Sequence, residues 1–128
     1  MICYFDTSAL VKLYVEEEGS KQVKDYAQKC SLVATSKVAY AESCSAFARA
    51  WREGVLETSS YREAVSNFKE EWPAFFVLDV SDSVLQRIDT LIDKYPLRAF
   101  DALHLASAIT LTKRFMHEEV LVGCWDTT

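Results

Sequence analysis

Hydrophobic and polar positions along the chain follow two alternating patterns. Residues 2–5 form a short unbroken apolar run, as in a strand covered on both faces. Asp6, Thr7 and Ser8 follow with helix-capping side chains, and residues 9–17 read as a helix. Gly19 and Ser20 restart a helix to about residue 30, and residues 32–34 read as a second short strand. Ser36 offers a cap to a long helix reaching Arg52, which Gly54 ends. A further helix spans 58–72 with Pro73 beyond it, and 75–80 is β-like. Ser81 and Asp82 open a helix to Tyr95, stopped by Pro96. From Arg98 or Ala99 to about residue 117 the pattern is helical again, and 120–125 is a final apolar strand. Strands alternating with helices predict an α/β fold around a parallel sheet.

Composition narrows the class. With 128 residues, residues 1–128 read as one domain, large enough to bury a core without a metal or disulfide staple. Hydrophobic residues at 50% and charged residues at 26% exclude a disordered chain, and 3 Gly with 2 Pro disfavour a turn-rich β-sandwich. The net charge of −5 argues against coating nucleic acid through a general positive field. Nucleic acid held by a metal ion or a local basic patch remains compatible with it. Cys3, Cys30, Cys44 and Cys124 form no C-x-x-C pair and lie in apolar segments. They read as small buried hydrophobes in a reducing cytosol. No secretory signal and no run of about 20 apolar residues is visible, so a cytoplasmic protein away from membranes is expected.

The positions of four acids carry the chemistry. Asp6 directly follows the first predicted strand, and Asp126 directly follows the last. In a parallel sheet both stand at the C-terminal edge, where open α/β folds bind ligands. Glu42 and Asp101 lie in the early turns of helices expected to begin at that edge. Three have a plainer reading: Asp6 as a helix cap, Glu42 as a solvated helix residue, Asp126 as a turn residue. A helical wheel weakens the second, because Tyr40, Cys44, Phe47 and Trp51 share one stripe while Glu42 sits opposite with Val38, Ala46 and Arg49. That helix is expected to be covered on both sides, with the aromatic stripe in the core. Asp101 heads an apolar face and is expected to be partly buried, which favours a metal cation or a strong partner beside it. Four crowded carboxylates raise one another's pKa unless a cation offsets them. Oxygen-only ligands suit Mg²⁺ or Mn²⁺, and such ions support phosphodiester hydrolysis.

At this point a resemblance appears. Phe5-Asp6-Thr7-Ser8-Ala9-Leu10, Tyr40-Ala41-Glu42 and Leu97-Arg98-Ala99-Phe100-Asp101-Ala102-Leu103-His104-Leu105-Ala106 resemble the PIN-domain signature, and within it the VapC-like toxins of toxin–antitoxin pairs. The resemblance implies a three-layer α/β/α sandwich with a central parallel sheet and a Mg²⁺- or Mn²⁺-dependent endoribonuclease. It implies Asp6, Glu42, Asp101 and Asp126 as catalytic and metal-binding residues, RNA as substrate, a homodimer, and an antitoxin protein as partner. Members of the family continue past the last acid with a helix and a strand, so a sheet lacking its last strand is expected here. The antitoxin in such pairs covers the first helices, so Leu10, Val11, Leu13, Tyr14 and Val15 are expected to leave an apolar groove.

Thr7 and Ser8 are candidates to hold water or the scissile phosphate, and equally candidates for helix capping. Arg49 shares the Glu42 face, as an ion-pair partner or a phosphate contact. Lys12, Lys37, Arg52 and Arg98 are further candidates to meet RNA. His104, three residues beyond Asp101, reads as a packing or supporting residue rather than a ligand. Rival readings fit less well. A haloacid-dehalogenase-like phosphatase needs a second Asp where Ser8 stands, and a receiver domain needs adjacent acids and a late Lys at the site. A PIN-like scaffold that binds partners without cutting is the remaining alternative.

Overall fold

The computed structural model describes residues 1–124. Four strands, β1 (Ile2–Phe5), β2 (Leu32–Ser36), β3 (Phe76–Leu78) and β4 (Val120–Gly123), form one sheet in the order β3-β2-β1-β4. Every pairing is parallel, with Cys3 opposite both Val33 and Leu121. The chain starts at a central strand, builds outward to β3, and then crosses to the other side of β1. The order therefore reverses at β1, and that is where open α/β sheets present ligand crevices. The expected strand at 120–125 lies partly outside the described residues.

Among the described residues, six helices cover the sheet: α1 (Thr7–Leu10), α2 (Ser20–Lys29), α3 (Val38–Arg52), α4 (Thr58–Glu71), α5 (Asp82–Lys94) and α6 (Ala99–Arg114). Successive side chains of β1 point to opposite faces, and this period of two divides the core. Cys3 and Phe5 join one cluster with Leu10, Val23, Phe47 and Phe68 from α1 to α4. Ile2 and Tyr4 face the other way, in a cluster with Ala34, Leu78, Ala108 and Leu111. Val84 and Leu91 of α5 then pack with Ala106 of α6. The result is the expected three-layer α/β/α sandwich. At its edge, the backbone of Gly123 runs against the Phe5 ring so closely that an added Cβ would stand 2.6 Å from Cδ1.

Local chemistry explains where the elements depart from the sequence pattern. The first helix begins and ends early. Asp6 caps it, and the chain passes into a 3-10 turn at Val11–Leu13. The buried Ser20 hydroxyl donates to the Val15 carbonyl and accepts from the Glu17 amide, which closes a loop where the pattern predicts helix. Gly19 makes the sharp entry to α2 with φ +90°. The last helix stops at Arg114 rather than near residue 117, with no Gly or Pro to mark the end.

Two further expectations are corrected. A disulfide joins Cys3 to Cys30 (Cα–Cα 5.9 Å), where four unpaired thiols were expected. The cause is tertiary: Cys30 caps α2, and the Ser31 amide donates to the Met1 carbonyl, so the start of β1 and the end of α2 lie side by side. Of the apolar residues of the first helices, Leu10 and Val15 are buried, while Val11, Leu13 and Tyr14 are partly buried against the core. In the α3 stripe, Phe47 is buried and Tyr40 and Cys44 pack beside it, which is the core reading. Trp51 leaves that stripe, 41% exposed and stacked on Tyr61 with ring centroids 4.7 Å apart. No helix among the described residues is long and apolar enough to cross a membrane.

Candidate functional site

At the C-terminal edge of β1, an open cavity of about 1180 Å³ is lined by three of the four predicted acids, Asp6, Glu42 and Asp101. Thr7, Ser8 and Arg49 line it as well, so the candidate substrate contacts share the same space. Asp126 lies outside the described residues. Asp6 reaches the cavity because β1 ends at Phe5, and its own amide still pairs with the Gly123 carbonyl at 3.1 Å. The buried Thr35 hydroxyl donates to the Phe5 carbonyl at 2.7 Å, which pins the strand end beside Asp6. Asp6 also fulfils its plainer role. Its Oδ1 accepts from the Ala9 amide (3.0 Å) and from the Ser8 hydroxyl (2.7 Å), so it caps α1 while facing the cavity.

Glu42 sits one turn into α3, with about a quarter of its side chain exposed. The Thr7 hydroxyl donates to its Oε1 at 2.6 Å, and His104 Nε2 lies 2.9 Å from the same oxygen. Burial pushes the Glu42 carboxyl up, but the hydrogen bonds from His104 and Thr7 outweigh it, so the net shift is downward. A carboxyl held below its unfolded pKa stabilises the fold above the unfolded value, and that gain is lost as pH falls through the folded value. The melting temperature of Glu42→Gln is therefore expected to lie below that of the parent at pH 6–7, with the gap closing below about pH 4. A gap independent of pH would contradict the assignment.

Asp101 is exposed, which corrects the expectation of partial burial. It lies in the first turn of α6, where residues 98–101 stand at the open mouth and the helix turns inward from Ala102. The helix N-terminus favours its charge there. Arg98 and the 55%-exposed Phe100 stand at the same mouth. Lys12, a candidate to meet RNA, is buried and paired with Glu17 at 2.9 Å.

The main residues that sequence reasoning underweighted are Tyr4 and His104. The Tyr4 hydroxyl lies 2.8 Å from His104 Nδ1, and both residues are buried. Burial holds the Tyr4 phenol well above its ordinary range, so its proton stays on. The available signals were the inward register of Tyr4 on β1 and the i+3 spacing of His104 from Asp101.

The acids form an all-oxygen donor set on one cavity. Among the described residues no three His, Cys, Asp or Glu side chains close on a common point tightly enough to hold an ion. Glu17 and Glu18 add to the negative side of the cavity, and Lys12, Arg49 and Arg98 to the positive. Such a cavity can offer carboxylates to a cation and guanidinium groups to a phosphate.

Comparison with known proteins gives consistent matches. The PIN domain model matches residues 3–112. Ribonuclease VapC45 of Mycobacterium tuberculosis (strain CDC 1551 / Oshkosh) is 32% identical over 125 residues, covering 98% of this chain and 84% of that protein. Ribonuclease VapC49 of strain ATCC 25618 / H37Rv matches with the same identity and coverage. Among solved structures, VapBC2 from Rickettsia felis, bound to a DNA fragment from its promoter, has a TM-score of 0.63 at 15% identity, covering 98% of this chain and 100% of that one. A toxin–antitoxin complex from Klebsiella pneumoniae has a TM-score of 0.61 at 19% identity, covering 92% and 82%.

Proposed function

The chain belongs to the PIN domain family, and on that footing we propose that it is a metal-dependent endoribonuclease, the toxin of a toxin–antitoxin pair. The observation that carries the reading is the meeting of Asp6, Glu42 and Asp101 on one cavity at the reversal point of a parallel sheet. Relatives named as ribonucleases over nearly the whole chain support RNA as the substrate class. The fold shared with two toxin–antitoxin structures supports an antitoxin partner. Self-pairing belongs to the same proposal.

Asp6, Glu42 and Asp101 would hold a Mg²⁺ or Mn²⁺ ion, with Asp126 as the fourth donor of the proposal. The oxygen-only donor set fits a hard ion, and a cation offsets the mutual repulsion of the acids. When bound, such an ion polarises a phosphoryl group and neutralises charge that develops on it. The chain's own residues do the rest. Arg49 and Arg98 meet RNA phosphates at the rim, where a planar guanidinium can bond two oxygens at once. Phe100 offers an exposed ring on which an unpaired base can stack. Thr7 and Ser8 hold Glu42 and Asp6 in place through their hydroxyls.

A binding-only scaffold is favoured by one observation, that the described acids do not close on a single point. Incubation with mixed-sequence single-stranded RNA separates the two readings. Cleavage is expected with Mn²⁺ or Mg²⁺, abolished by EDTA and restored by added metal. Cleavage that persists in EDTA would contradict the metal, and RNA bound but uncut under all conditions would favour the scaffold.

A further inference from the structure

We propose that Tyr4, His104 and Glu42 form a buried relay in which His104 is the positioning residue for the Glu42 carboxylate, carrying its proton on Nε2 and turning Nδ1 to the Tyr4 hydroxyl. The proposal rests on the reading of Glu42 as a metal-holding acid, and it adds residues that this reading does not use.

Three contacts define the relay. Tyr4 Oη lies 2.8 Å from His104 Nδ1, His104 Nε2 lies 2.9 Å from Glu42 Oε1, and the Thr7 hydroxyl reaches the same Oε1 at 2.6 Å. An ionised carboxylate only accepts, so the Nε2 contact requires the imidazole proton to be there. The Tyr4 hydroxyl supplies the complementary partner on the other nitrogen. Tyr4 has none of its surface exposed and His104 only 7%, so neither can trade its partner for bulk water. The two ends are fixed by different layers. Tyr4 is locked in the central strand, and His104 sits on the buried face of α6 three residues beyond Asp101. The relay thus sets the α6 face against β1 and α3, and it sets two of the acids relative to each other.

Its effect on Glu42 is specific. Both hydrogen bonds fall on Oε1, and Oε2 accepts none from the described residues. Glu42 is therefore anchored through one oxygen and offers the other to a cation. Partners that orient a ligand in this way are worth about 10–100-fold in metal affinity when removed.

Two readouts test the relay. The first is the ¹⁵N spectrum of the His104 imidazole in metal-free protein. A proton on Nε2, with an Nδ1 resonance that moves in Tyr4→Phe, is the expected result. A bare Nε2 with the proton on Nδ1 overturns the proposal, and so does an Nδ1 resonance unchanged in Tyr4→Phe. The second is Mn²⁺ affinity. His104→Ala is expected to weaken it by about 10–100-fold. His104→Gln, whose amide nitrogen falls near the Nε2 position, is expected to recover most of that loss. Equal affinity in parent and His104→Ala overturns the proposal, as does an equal loss in the Ala and Gln variants. Failure of the parent itself to bind Mn²⁺ would defeat the metal reading, and the ¹⁵N spectrum, recorded without metal, would still decide the relay.

Discussion

Asp101→Asn is expected to reduce RNA cleavage by about 10²–10³-fold, the scale of losing one preorganised electrostatic group in an active site. The same variant is expected to fold normally. Asp101 is exposed at the mouth of the cavity, and Asn keeps its shape while removing its charge. The one stabilising effect it loses is the favourable placement of an acid in the first turn of α6, about 0.3–1 kcal/mol. A large fall in activity beside a nearly unchanged melting temperature is therefore the signature of a functional acid. Parallel losses of both would place Asp101 in the scaffold instead. Cleavage at the parental rate would remove it from the mechanism.

Phe68→Ala is expected to destabilise the fold by about 3–5 kcal/mol, as large-to-small changes of a fully buried aromatic do. Phe68 is completely buried and is the hub of the aromatic cluster. Its ring lies 5.4 Å from Tyr14, 5.5 Å from Tyr40, 5.5 Å from Phe47 and 5.4 Å from Trp72. These rings tie α4 to α3, which carries Glu42, and to the turn after α1, the helix that Asp6 caps. Against a typical total stability of about 5–15 kcal/mol, such a loss is a large fraction. A fall in melting temperature of roughly 10–20 °C is expected. A fall of only a few degrees would show that the cluster repacks and that the α3–α4 layer is not its anchor.

Much of this was legible in the sequence, for identifiable reasons. The apolar run of β1, the Ser81 cap of α5 and the Pro96 stop are local signals that tertiary structure did not override. Placing the acids at one edge required only that strands and helices alternate, because a parallel sheet puts every strand end on the same side. The illegible parts depend on contacts distant in sequence. The Cys3–Cys30 disulfide spans 27 residues and has no motif. The loop that replaces helix at Val15–Glu17 is held by Ser20, which comes later in the chain. The buried position of Lys12 follows from Glu17 and the closed loop around it, since charge alone says surface. Asp101 was expected inside because an apolar face follows it, yet the first turn of a helix can project beyond the core that buries the rest. His104 was legible as a packing or supporting residue, but not its partners, which come from β1 and α3.

The central claim is that the acids of this cavity hold a divalent metal, and it is tested most directly by calorimetric titration of Mn²⁺ into the parent and into Asp101→Asn. This measurement needs no knowledge of the RNA. Saturable binding by the parent, with most of that affinity lost in the variant, is the expected result. No binding by the parent, or equal binding by both, would contradict a metal site built on these carboxylates.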